Sequence, residues 1–366
     1  MNRRKDGLWV DTVAIPGSSK RKYFYGKSKA EVKKKIAEWN AEQEAGISLS
    51  AAIDNWLAWK EKSVSFKTLE GYRSPIAKIN DSFGDLRLND ISPAQIQSFV
   101  NSLASKGLKR SAVQRPLDVL RMVYDYHITL PGSQIKYNPC AGVRLPSGLK
   151  QEARELASRS DVELVKAGLA LPFGLFPYLI MYSGLRDGEA LALTDSDFDF
   201  KANTISVTKS VSWQTNKPVI KTTKTANGIR NVVLLTQLKK ALPKWKGYLF
   251  SADGGQTPLT NTQFRSRWNA YCRAAGLADC KQEKHKSPGK NKREYVKTIW
   301  TNRIVPYQLR HEFATLCFDA GLDPKSVGDM MGHADEEMAR RIYTHIQESR
   351  RISDAEKLQK YLDGDT

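Results

Sequence analysis

Two arginines in the C-terminal half of the sequence have neighbours that suit the binding of an oxyanion. Arg186 follows an apolar segment that ends at a glycine, and Glu189 lies three residues later, close enough to orient the guanidinium. Arg310 precedes His311, and the pattern that begins at Pro306 predicts that both lie at the start of a helix, where backbone N–H groups also favour anions. A guanidinium binds carboxylate or phosphate oxygens through two parallel hydrogen bonds. The alternative for Arg186 is a residue at a helix end that interacts only with solvent.

Three further residues have side chains that could transfer a proton or act as a nucleophile. Lys224 lies in a basic stretch, residues 221–230, whose composition predicts a hairpin turn, and Lys221 is a neighbouring alternative. On its own, a lysine in such a turn is better interpreted as a non-specific contact with DNA. His333 and, ten residues later, Tyr343 complete the set, although a lone histidine or tyrosine is usually a packing residue. Their order along the chain, together with the two arginines, is therefore the informative feature.

The composition predicts an acidic polymer as the partner. Among 366 residues there are 58 Lys and Arg against 39 Asp and Glu, which gives a net charge of +19. The phosphate backbone of nucleic acid is the commonest partner of this kind, and a well-solvated basic surface or a membrane surface are the alternatives. The sequence has no apolar run long enough to span a bilayer and no hydrophobic signal segment at its start, so we expect no membrane association.

The cysteines show no pattern typical of disulfides and favour a reduced, cytoplasmic compartment. Cys272, Cys280 and His285 are potential metal ligands, but the gaps between them are irregular and no fourth ligand is evident. Zinc sites usually show tighter paired spacing. The sequence therefore predicts no metal site.

Hydrophobic patterning divides the chain into three predicted domains, residues 1–45, 46–150 and 151–366. The first alternates in the manner of strands and continues, from a predicted capping box at Ser28 and Glu31, as a helix. The second ends in a segment with linker composition, and its helices are predicted at 49–61, 68–83, 92–107 and 111–126. A helical unit of this kind says nothing about function by itself.

The third predicted domain mixes helices with short strands. Its helices are predicted at 160–170, at 173–183, at 260–276 and, in pieces broken at Gly321 and Gly332, from residue 306 onward. Its strands are predicted at 204–213, 219–221 and 230–235, and the lysine-rich residues 280–297 are predicted to be an exposed insertion. The expected fold class is multidomain α+β: a small basic N-terminal sheet plus helix, a helical domain, and a mainly helical C-terminal domain with a small antiparallel sheet.

The order of the candidate residues resembles that of the tyrosine recombinase family, also called the phage integrase family. The segments that carry the resemblance are 184–189 (GLRDGE), 309–315 (LRHEFAT), 332–333 (GH) and 343–345 (YTH). The resemblance in motif covers residues 183–346. Residues 46–145 are similar to the family's core-binding domain in their position along the chain and in their helical character. The N-terminal unit is similar to the arm-binding domain of integrases from temperate phages and conjugative transposons. The resemblance thus implies an arm-type DNA-binding domain, a core-binding domain and a catalytic domain.

The resemblance also implies a mechanism. Tyr343 would attack the scissile phosphate, release a 5′-hydroxyl and keep the bond energy in a 3′-phosphotyrosyl linkage. Arg186 and Arg310 would clamp the non-bridging oxygens and stabilise the pentacoordinate charge. Lys224 would protonate the leaving oxygen, and His333 would hydrogen-bond the phosphate or assist proton transfer. Rejoining would need no nucleotide cofactor, because the bond energy is kept in that linkage. No metal would be required, because the two arginines supply the charge that a metal would bring.

Supporting roles are implied for three more residues. Glu189 and His311 would support the arginines. The family usually has a histidine three residues before the second arginine, and this sequence has Tyr307 there. A neutral tyrosine can donate a hydrogen bond to phosphate, but it is a poor base near neutral pH. The role of general base would then pass to His333 or to water.

The implied function is that of an integrase that serves a mobile element, such as a temperate phage or an integrative element, in the cytoplasm of a bacterial host. Its expected partners are double-stranded DNA at core and arm-type attachment sites, further copies of the chain in a homo-tetramer on a four-way junction, and an accessory protein for excision. Residues 352–362 have helical spacing and are predicted to dock on a neighbouring subunit or to pack on their own domain. The alternatives are a catalytically inactive, sequence-specific DNA-binding protein of the same fold and a type IB topoisomerase, which shares the chemistry but not the arm-like N-terminus.

Overall fold

The computed structural model describes residues 1–14, 20–150, 156–222, 228–286 and 294–332 and the single positions 344, 355, 359 and 362, without the side chains of residues 41–45 and 286. The chain forms two compact units, Met1–Ala153 and Arg154–Thr366. Helices dominate and the strands form small antiparallel sheets, which confirms the predicted α+β class. The predicted domain boundaries at residues 45 and 150 stay predictions. No helix in the described ranges is long and apolar enough to cross a membrane.

The first unit begins with a three-stranded antiparallel sheet in the order β1-β2-β3. Its elements are β1 (Asn2–Arg3), β2 (Trp9–Ala14), β3 (Arg21–Gly26) and the helix α1 (Lys29–Ala45) that packs on the sheet. Phe24, Val32 and Trp39 form the small core between sheet and helix. The predicted cap of α1 forms in part: the Ser28 hydroxyl accepts a hydrogen bond from the Glu31 N–H at 3.1 Å.

Four helices follow in the first unit, close to their predicted bounds: α2 (Leu49–Glu61), α3 (Phe66–Phe83), α4 (Pro93–Ser105) and α5 (Arg110–Ile128). Serine hydroxyls accept hydrogen bonds from the first turns of three of them, as N-cap serines typically do. Apolar side chains at helical spacing then meet in one core, in which Trp56, Ile79, Ile96 and Leu120 are almost fully buried. The helical stripes seen in the sequence are therefore the faces that the structure buries.

The second unit is built around a short apolar helix, α7 (Leu175–Ser183), whose Phe176, Leu179 and Ile180 are fully buried. Within residues 156–332, its other α-helices in the described part of the chain are α6 (Arg159–Ala167), α8 (Asp187–Ala192), α9 (Thr236–Ala241), α10 (Asn261–Ala274), α11 (Pro306–Asp319) and α12 (Pro324–Met331). The contacts of α7 with α8 and α11 are among those that hold the unit together. The α7 helix thus supports the two helices that carry the candidate arginines.

Small antiparallel sheets complete the described part of the second unit. The strands β4 (Phe198–Asp199), β5 (Thr204–Val207) and β8 (Arg230–Val233) form one sheet, and β6 (Lys209–Gln214) and β7 (Lys217–Thr222) form another. The strands β9 (Ala278–Lys286) and β10 (Glu294–Asn302) pair along their whole length. The described parts of the lysine-rich segment that the sequence predicts as an exposed insertion, residues 280–286 and 294–297, are therefore paired strands, and the described side chains are mostly exposed.

The strand predictions were wrong in two respects. The single strand predicted at 204–213 is two strands in different sheets, because β5 pairs with β8 and β6 pairs with β7. For the same reason β7 and β8 do not form the hairpin predicted at 221–230. The strand β7 forms a hairpin with β6 instead, and the tight turn of that hairpin includes Thr215, where φ is +58°. Side-chain alternation continues through Thr208, where the chain leaves one sheet for the other. A period of two residues cannot show such a change of pairing partner.

Candidate active site

Arg186 is positioned by the turn between α7 and α8. The first helix ends at Gly184, whose φ of +64° is the left-handed conformation that favours glycine. A side chain at Gly184 would also collide with the ring of Phe313. Arg186 then occupies the N-cap position of α8, and 41% of its side chain is exposed. The turn therefore leaves this guanidinium accessible to a ligand.

Gly188, in the first turn of α8, lets that helix lie directly against β6. A Cβ at this position would come within 2.5 Å of the Val211 carbonyl oxygen and 2.6 Å of Ser210 Oγ. We expect Gly188→Ala to lower the free energy of unfolding by about 1–3 kcal/mol, since the clash is with backbone. Thermal unfolding measures the change. Gly142→Ala, at a glycine with nothing within 4 Å, is the control, and equal melting temperatures for the two variants would contradict the prediction.

Glu189 is the centre of the site and is 2% exposed. Its carboxylate accepts hydrogen bonds from the backbone N–H (2.9 Å) and Nη1 (2.7 Å) of Arg186, and from Nη1 (3.3 Å) and Nη2 (2.9 Å) of Arg230. Arg310 Nη1 lies 3.9 Å from Glu189 Oε2. Burial by itself raises the pKa of Glu189, but the hydrogen bonds and charges of Arg230 and Arg186 outweigh it and lower the pKa below its ordinary value. Three guanidiniums therefore surround one ionised carboxylate, and the site has a net positive charge.

Arg310 lies in the second turn of α11, because the helix begins at Pro306. The prediction that it lies at the helix start was therefore wrong by about one turn. Its side chain is 1% exposed, Nη1 donates to the Gly184 carbonyl, and Nη2 donates to the Met331 carbonyl at 2.6 Å. Burial first, and then repulsion from Arg186, lower the pKa of Arg310 to about 9. The guanidinium stays protonated at neutral pH.

The three arginines also donate to three consecutive carbonyl oxygens at the C-terminal end of α12. The pairs are Arg230 Nε with Met330 (3.0 Å), Arg310 Nη2 with Met331 (2.6 Å) and Arg186 Nη2 with Gly332 (2.8 Å). The last carbonyls of a helix lack partners within the helix and carry the negative end of its dipole, so cations are favoured there. We call these three arginines, Glu189 and the three carbonyls the arginine–carbonyl cluster. The cluster ties α8, β8 and α11 to the chain immediately before His333.

Tyr307 and His311 lie one turn apart on α11. Their rings meet edge to face, with centroids 4.5 Å apart and an interplanar angle of 90°. His311 is 9% exposed, and Tyr307 is half-buried in the first turn of the helix. Tyr307 therefore packs against the imidazole that follows Arg310, and its predicted contact with phosphate stays a prediction.

The other predicted site residues, Lys224, His333 and Tyr343, lie outside the described residues, and their roles stay predictions. Lys221, the alternative to Lys224, is half-buried in β7 opposite Ser210. Within the described ranges no group of three His, Cys, Asp or Glu side chains could hold a metal ion. Among the potential metal ligands, Cys272 is buried, which raises the pKa of its thiol to about 12.

Arg230 is the member of the cluster that sequence analysis missed. It is the first residue of β8 and lies 41 positions after the carboxylate that it contacts. The sequence offers only a weak signal for it, a basic residue six positions after Lys224 at the start of a predicted strand. No spacing rule for a single helix or strand relates Arg230 to Glu189.

The sequence matches two domain families. The pattern described as Phage integrase family matches residues 170–350, and the pattern described as Phage integrase, N-terminal SAM-like domain matches residues 48–104. The first match contains every residue of the arginine–carbonyl cluster. The second contains α2 and α3 of the helical region.

Two curated relatives match most of the chain. A XerC-like tyrosine recombinase of Caldanaerobacter subterraneus subsp. tengcongensis is 24% identical over 356 residues, which are 89% of this chain and 88% of that protein. The ICEBs1 integrase of Bacillus subtilis is 25% identical over 354 residues, which are 91% of this chain and 88% of that protein. Both matches extend beyond the residues that the two domain families cover.

Two solved structures have a similar fold. The integrase of the Tn1549 transposon, in complex with transposon right end DNA, is 17% identical with a TM-score of 0.65, over 86% of this chain and 100% of that chain. A lambda integrase tetramer bound to a Holliday junction is 18% identical with a TM-score of 0.56, over 93% of this chain and 96% of that chain. At these identities the likeness is one of fold.

Proposed function

Because this chain belongs to the phage integrase family of tyrosine recombinases, we propose that it is a site-specific recombinase that integrates and excises a mobile element. The observation that carries the proposal is the arrangement of Arg186, Arg230 and Arg310 around one buried carboxylate. That arrangement holds an excess of two positive charges at one place. Phosphate, whose negative charge grows during displacement at phosphorus, is the group that such a site stabilises.

Arg186 is the guanidinium that a scissile phosphate meets first. Its side chain is 41% exposed, whereas that of Arg310 is 1% exposed and is bonded to two backbone carbonyls. A non-bridging oxygen therefore reaches Arg310 only after the atoms that cover it move aside on DNA binding. With both arginines in contact, charge is already in place when the pentacoordinate transition state forms.

The proposed cleavage is a transesterification, in which one phosphodiester bond is exchanged for another. The hydroxyl oxygen of Tyr343 attacks phosphorus, and the bond between phosphorus and the 5′ oxygen breaks. Lys224, or its neighbour Lys221, donates a proton to the departing 5′ oxygen, and His333 or water accepts the tyrosine proton. Rejoining reverses the step with the 5′-hydroxyl of another strand, so the bond energy is conserved and no nucleotide cofactor is consumed.

The N-terminal sheet is proposed to bind arm-type sites. Arg21, Tyr23 and Tyr25 alternate along the face of β3 that points away from the small core. Tyr23 is 58% exposed and Tyr25 is 41% exposed, and the Arg4 guanidinium lies 5.3 Å from the Tyr25 ring. A basic face with exposed aromatic rings suits contact with the sugar–phosphate backbone and base edges. Residues 46–150 would then bind the core site, and residues 151–366 would carry the chemistry.

The relatives and the similar solved structures support the proposed partners. The lambda integrase structure is a tetramer on a Holliday junction, which supports a tetramer of this chain on a four-way junction. The Tn1549 and ICEBs1 integrases support a mobile element, and the bacterial relatives support a bacterial cytoplasm as the setting. An accessory protein for excision belongs to the same proposal. So does docking by residues 352–362, which lie outside the described residues except at positions 355, 359 and 362.

We expect DNA affinity to fall steeply with salt, because each neutralised phosphate releases a counterion. For about 6–10 phosphate contacts, the loss between about 50 and 200 mM salt is about 10³–10⁵-fold. Fluorescence anisotropy with a labelled core-site duplex, repeated over a salt series, measures the slope. A flat response would contradict a broad phosphate footprint, and a duplex of unrelated sequence shows how much of the slope is non-specific.

A nicked suicide duplex made from the joined ends of the element tests the proposed function. Cleavage next to the nick releases a short oligonucleotide, so the protein remains attached to the DNA. We expect a covalent protein–DNA band on a denaturing gel, with or without a chelator, and none with a duplex whose core sequence is scrambled. Binding without a covalent band would favour the catalytically inactive DNA-binding protein. Relaxation of a plasmid that lacks the site would favour a type IB topoisomerase.

A further inference from the structure

Arg230 takes no part in the cleavage step proposed above, yet its guanidinium is bonded to residues that surround that step. Its side chain is 7% exposed. Nη1 and Nη2 donate to the two oxygens of Glu189, at 3.3 and 2.9 Å, and Nε donates to the Met330 carbonyl at 3.0 Å. Arg230 therefore links a buried carboxylate to the C-terminal end of α12.

Arg230 is the cation that neutralises Glu189 from the protein side. The contact is bidentate and both partners are buried, and an ion pair interacts more strongly where the effective dielectric is low. Arg186 contacts the same carboxylate, but its side chain is 41% exposed, so solvent weakens that pair. Arg186 is thus not needed as the sole counter-ion of Glu189, and its charge remains available to an outside anion.

Loss of Arg230 would change what Glu189 does to the other arginines. A carboxylate that is 2% exposed and has lost its bidentate partner must gain another cation or a proton. The cations at hand are Arg186, already in contact, and Arg310, whose Nη1 is 3.9 Å away. Both would be drawn toward the carboxylate and away from the position where they serve a phosphate.

Arg230 also fixes the helix end from which the chain continues to His333. Its bond to Met330 lies beside the bonds of Arg310 to Met331 and of Arg186 to Gly332. Gly332 is in the left-handed conformation, with φ +65°, and ends α12. Without Arg230, one of the last carbonyls of α12 loses its cationic partner, and the two arginines proposed to bind phosphate must hold the helix end alone.

We propose that Arg230 is a positioning residue of the recombination reaction. It holds the Glu189 carboxylate and the end of α12 so that Arg186 and Arg310 keep their orientation toward the scissile phosphate. This inference rests on the proposed function, and it adds a residue that acts only through Glu189 and the Met330 carbonyl of α12.

Single-turnover cleavage of the nicked suicide duplex by the full-length chain tests the proposal, with DNA affinity measured separately. We expect Arg230→Ala to slow formation of the covalent complex by about 100-fold, the size of effect that a small misplacement of reacting groups produces. The dissociation constant for the duplex should change by less than about threefold, because Arg230 is buried and offers little surface to DNA. Arg230→Lys keeps the charge but loses the fork, so its rate should lie between those of wild type and Arg230→Ala.

A double-mutant cycle shows whether Arg230 acts through Glu189. The double variant Arg230→Ala/Glu189→Gln lacks the buried charge that attracts the other arginines. It should cleave no more slowly than Arg230→Ala alone, although Glu189→Gln by itself also slows the wild type. A double variant slowed by the product of the two single effects would overturn the proposal. If Arg230→Ala does not fold, Arg230→Lys and the double variant carry the test.

Arg303 supplies a matched control within the same unit. It donates to Asp161, at 2.8 and 3.1 Å, and to the Gly276 carbonyl, so it also joins a carboxylate to a backbone oxygen, outside the cluster. Arg303→Ala should cleave within about twofold of wild type, and an equal loss in both variants would reduce Arg230 to a general structural role. A wild-type rate for Arg230→Ala overturns this inference alone. A wild type that forms no covalent complex overturns the proposed function and the inference together.

Discussion

Tyr343→Phe should abolish the covalent protein–DNA complex and leave DNA affinity within about twofold of wild type. The substitution removes one hydroxyl oxygen, the proposed nucleophile, and keeps the ring, so packing is disturbed little. Loss of a nucleophile lowers a rate by at least about 10⁴-fold in enzymes where it has been removed, which places the variant below detection in a suicide assay. A denaturing gel measures covalent attachment, and a gel shift on the same duplex measures binding.

Tyr295→Phe is the matched control for this prediction, because Tyr295 is 48% exposed on β10, outside the arginine–carbonyl cluster. It should give the wild-type covalent band. A band that persists in Tyr343→Phe would assign the nucleophile to another residue. Loss of both binding and attachment would instead show that the substitution disturbs the fold, and unfolding temperatures separate that case from loss of chemistry.

Arg310→Lys should slow cleavage by about 10²–10³-fold, the range seen when one donor that stabilises a developing oxyanion is removed. The Arg310 guanidinium reaches the carbonyls of Gly184 and Met331 from its two terminal nitrogens. The single ammonium group of a lysine cannot donate to both carbonyls in the way that the planar guanidinium does. One buried carbonyl then loses its donor, which costs about 1–3 kcal/mol of folding free energy. Single-turnover cleavage and chemical denaturation measure the two effects.

The deficit of Arg310→Lys should widen as pH rises. Burial lowers the pKa of Arg310 to about 9, and a lysine in the same place starts from a lower ordinary pKa, about 10.4. The same burial therefore gives a lysine at position 310 a lower folded-state pKa than the arginine has. The lysine loses its positive charge as pH rises through that pKa. Cleavage relative to wild type should fall between about pH 7 and 9. A pH-independent ratio would show that geometry alone causes the loss.

Arg303→Lys is the control for both effects, since Arg303 lies outside the cluster and its side chain is 34% exposed. Solvent can satisfy the groups that it leaves, so we expect cleavage close to the wild-type rate at every pH. If Arg310→Lys cleaves DNA as fast as Arg303→Lys, the Arg310 guanidinium is not required for cleavage. Of the two arginines proposed to bind the scissile phosphate, only Arg186 would then remain.

Local features of the fold could be predicted from the sequence. Ser92 followed by Pro93 marks the start of α4, because a capping hydroxyl and a fixed φ favour helix initiation. Ile96, Phe99 and Val100 then follow at the spacing of a buried helix face. The predicted contact between Glu189 and Arg186 is also local, since residues three apart meet on one turn.

Non-local features could not be predicted in the same way. Arg230 meets Glu189 only because β8 joins β5 rather than β7, and the alternating pattern through Thr208 gives no sign of that choice. The burial of Arg310 likewise depends on carbonyls from two distant segments, those of Gly184 and Met331. Each of these features is set by tertiary packing, which spacing along one element does not encode.

The bond between Arg186 and the Gly332 carbonyl makes DNA binding and the end of α12 thermodynamically linked. One guanidinium serves two acceptors there, a backbone oxygen at 2.8 Å within the protein and, in the proposed complex, a phosphate from outside. Coupling between two such equilibria is reciprocal. When phosphate withdraws the donor, the Gly332 carbonyl loses a partner and the C-terminal end of α12 is held less firmly. A ligand or substitution that strengthens the bond between Arg186 and Gly332 must weaken phosphate binding by the same factor.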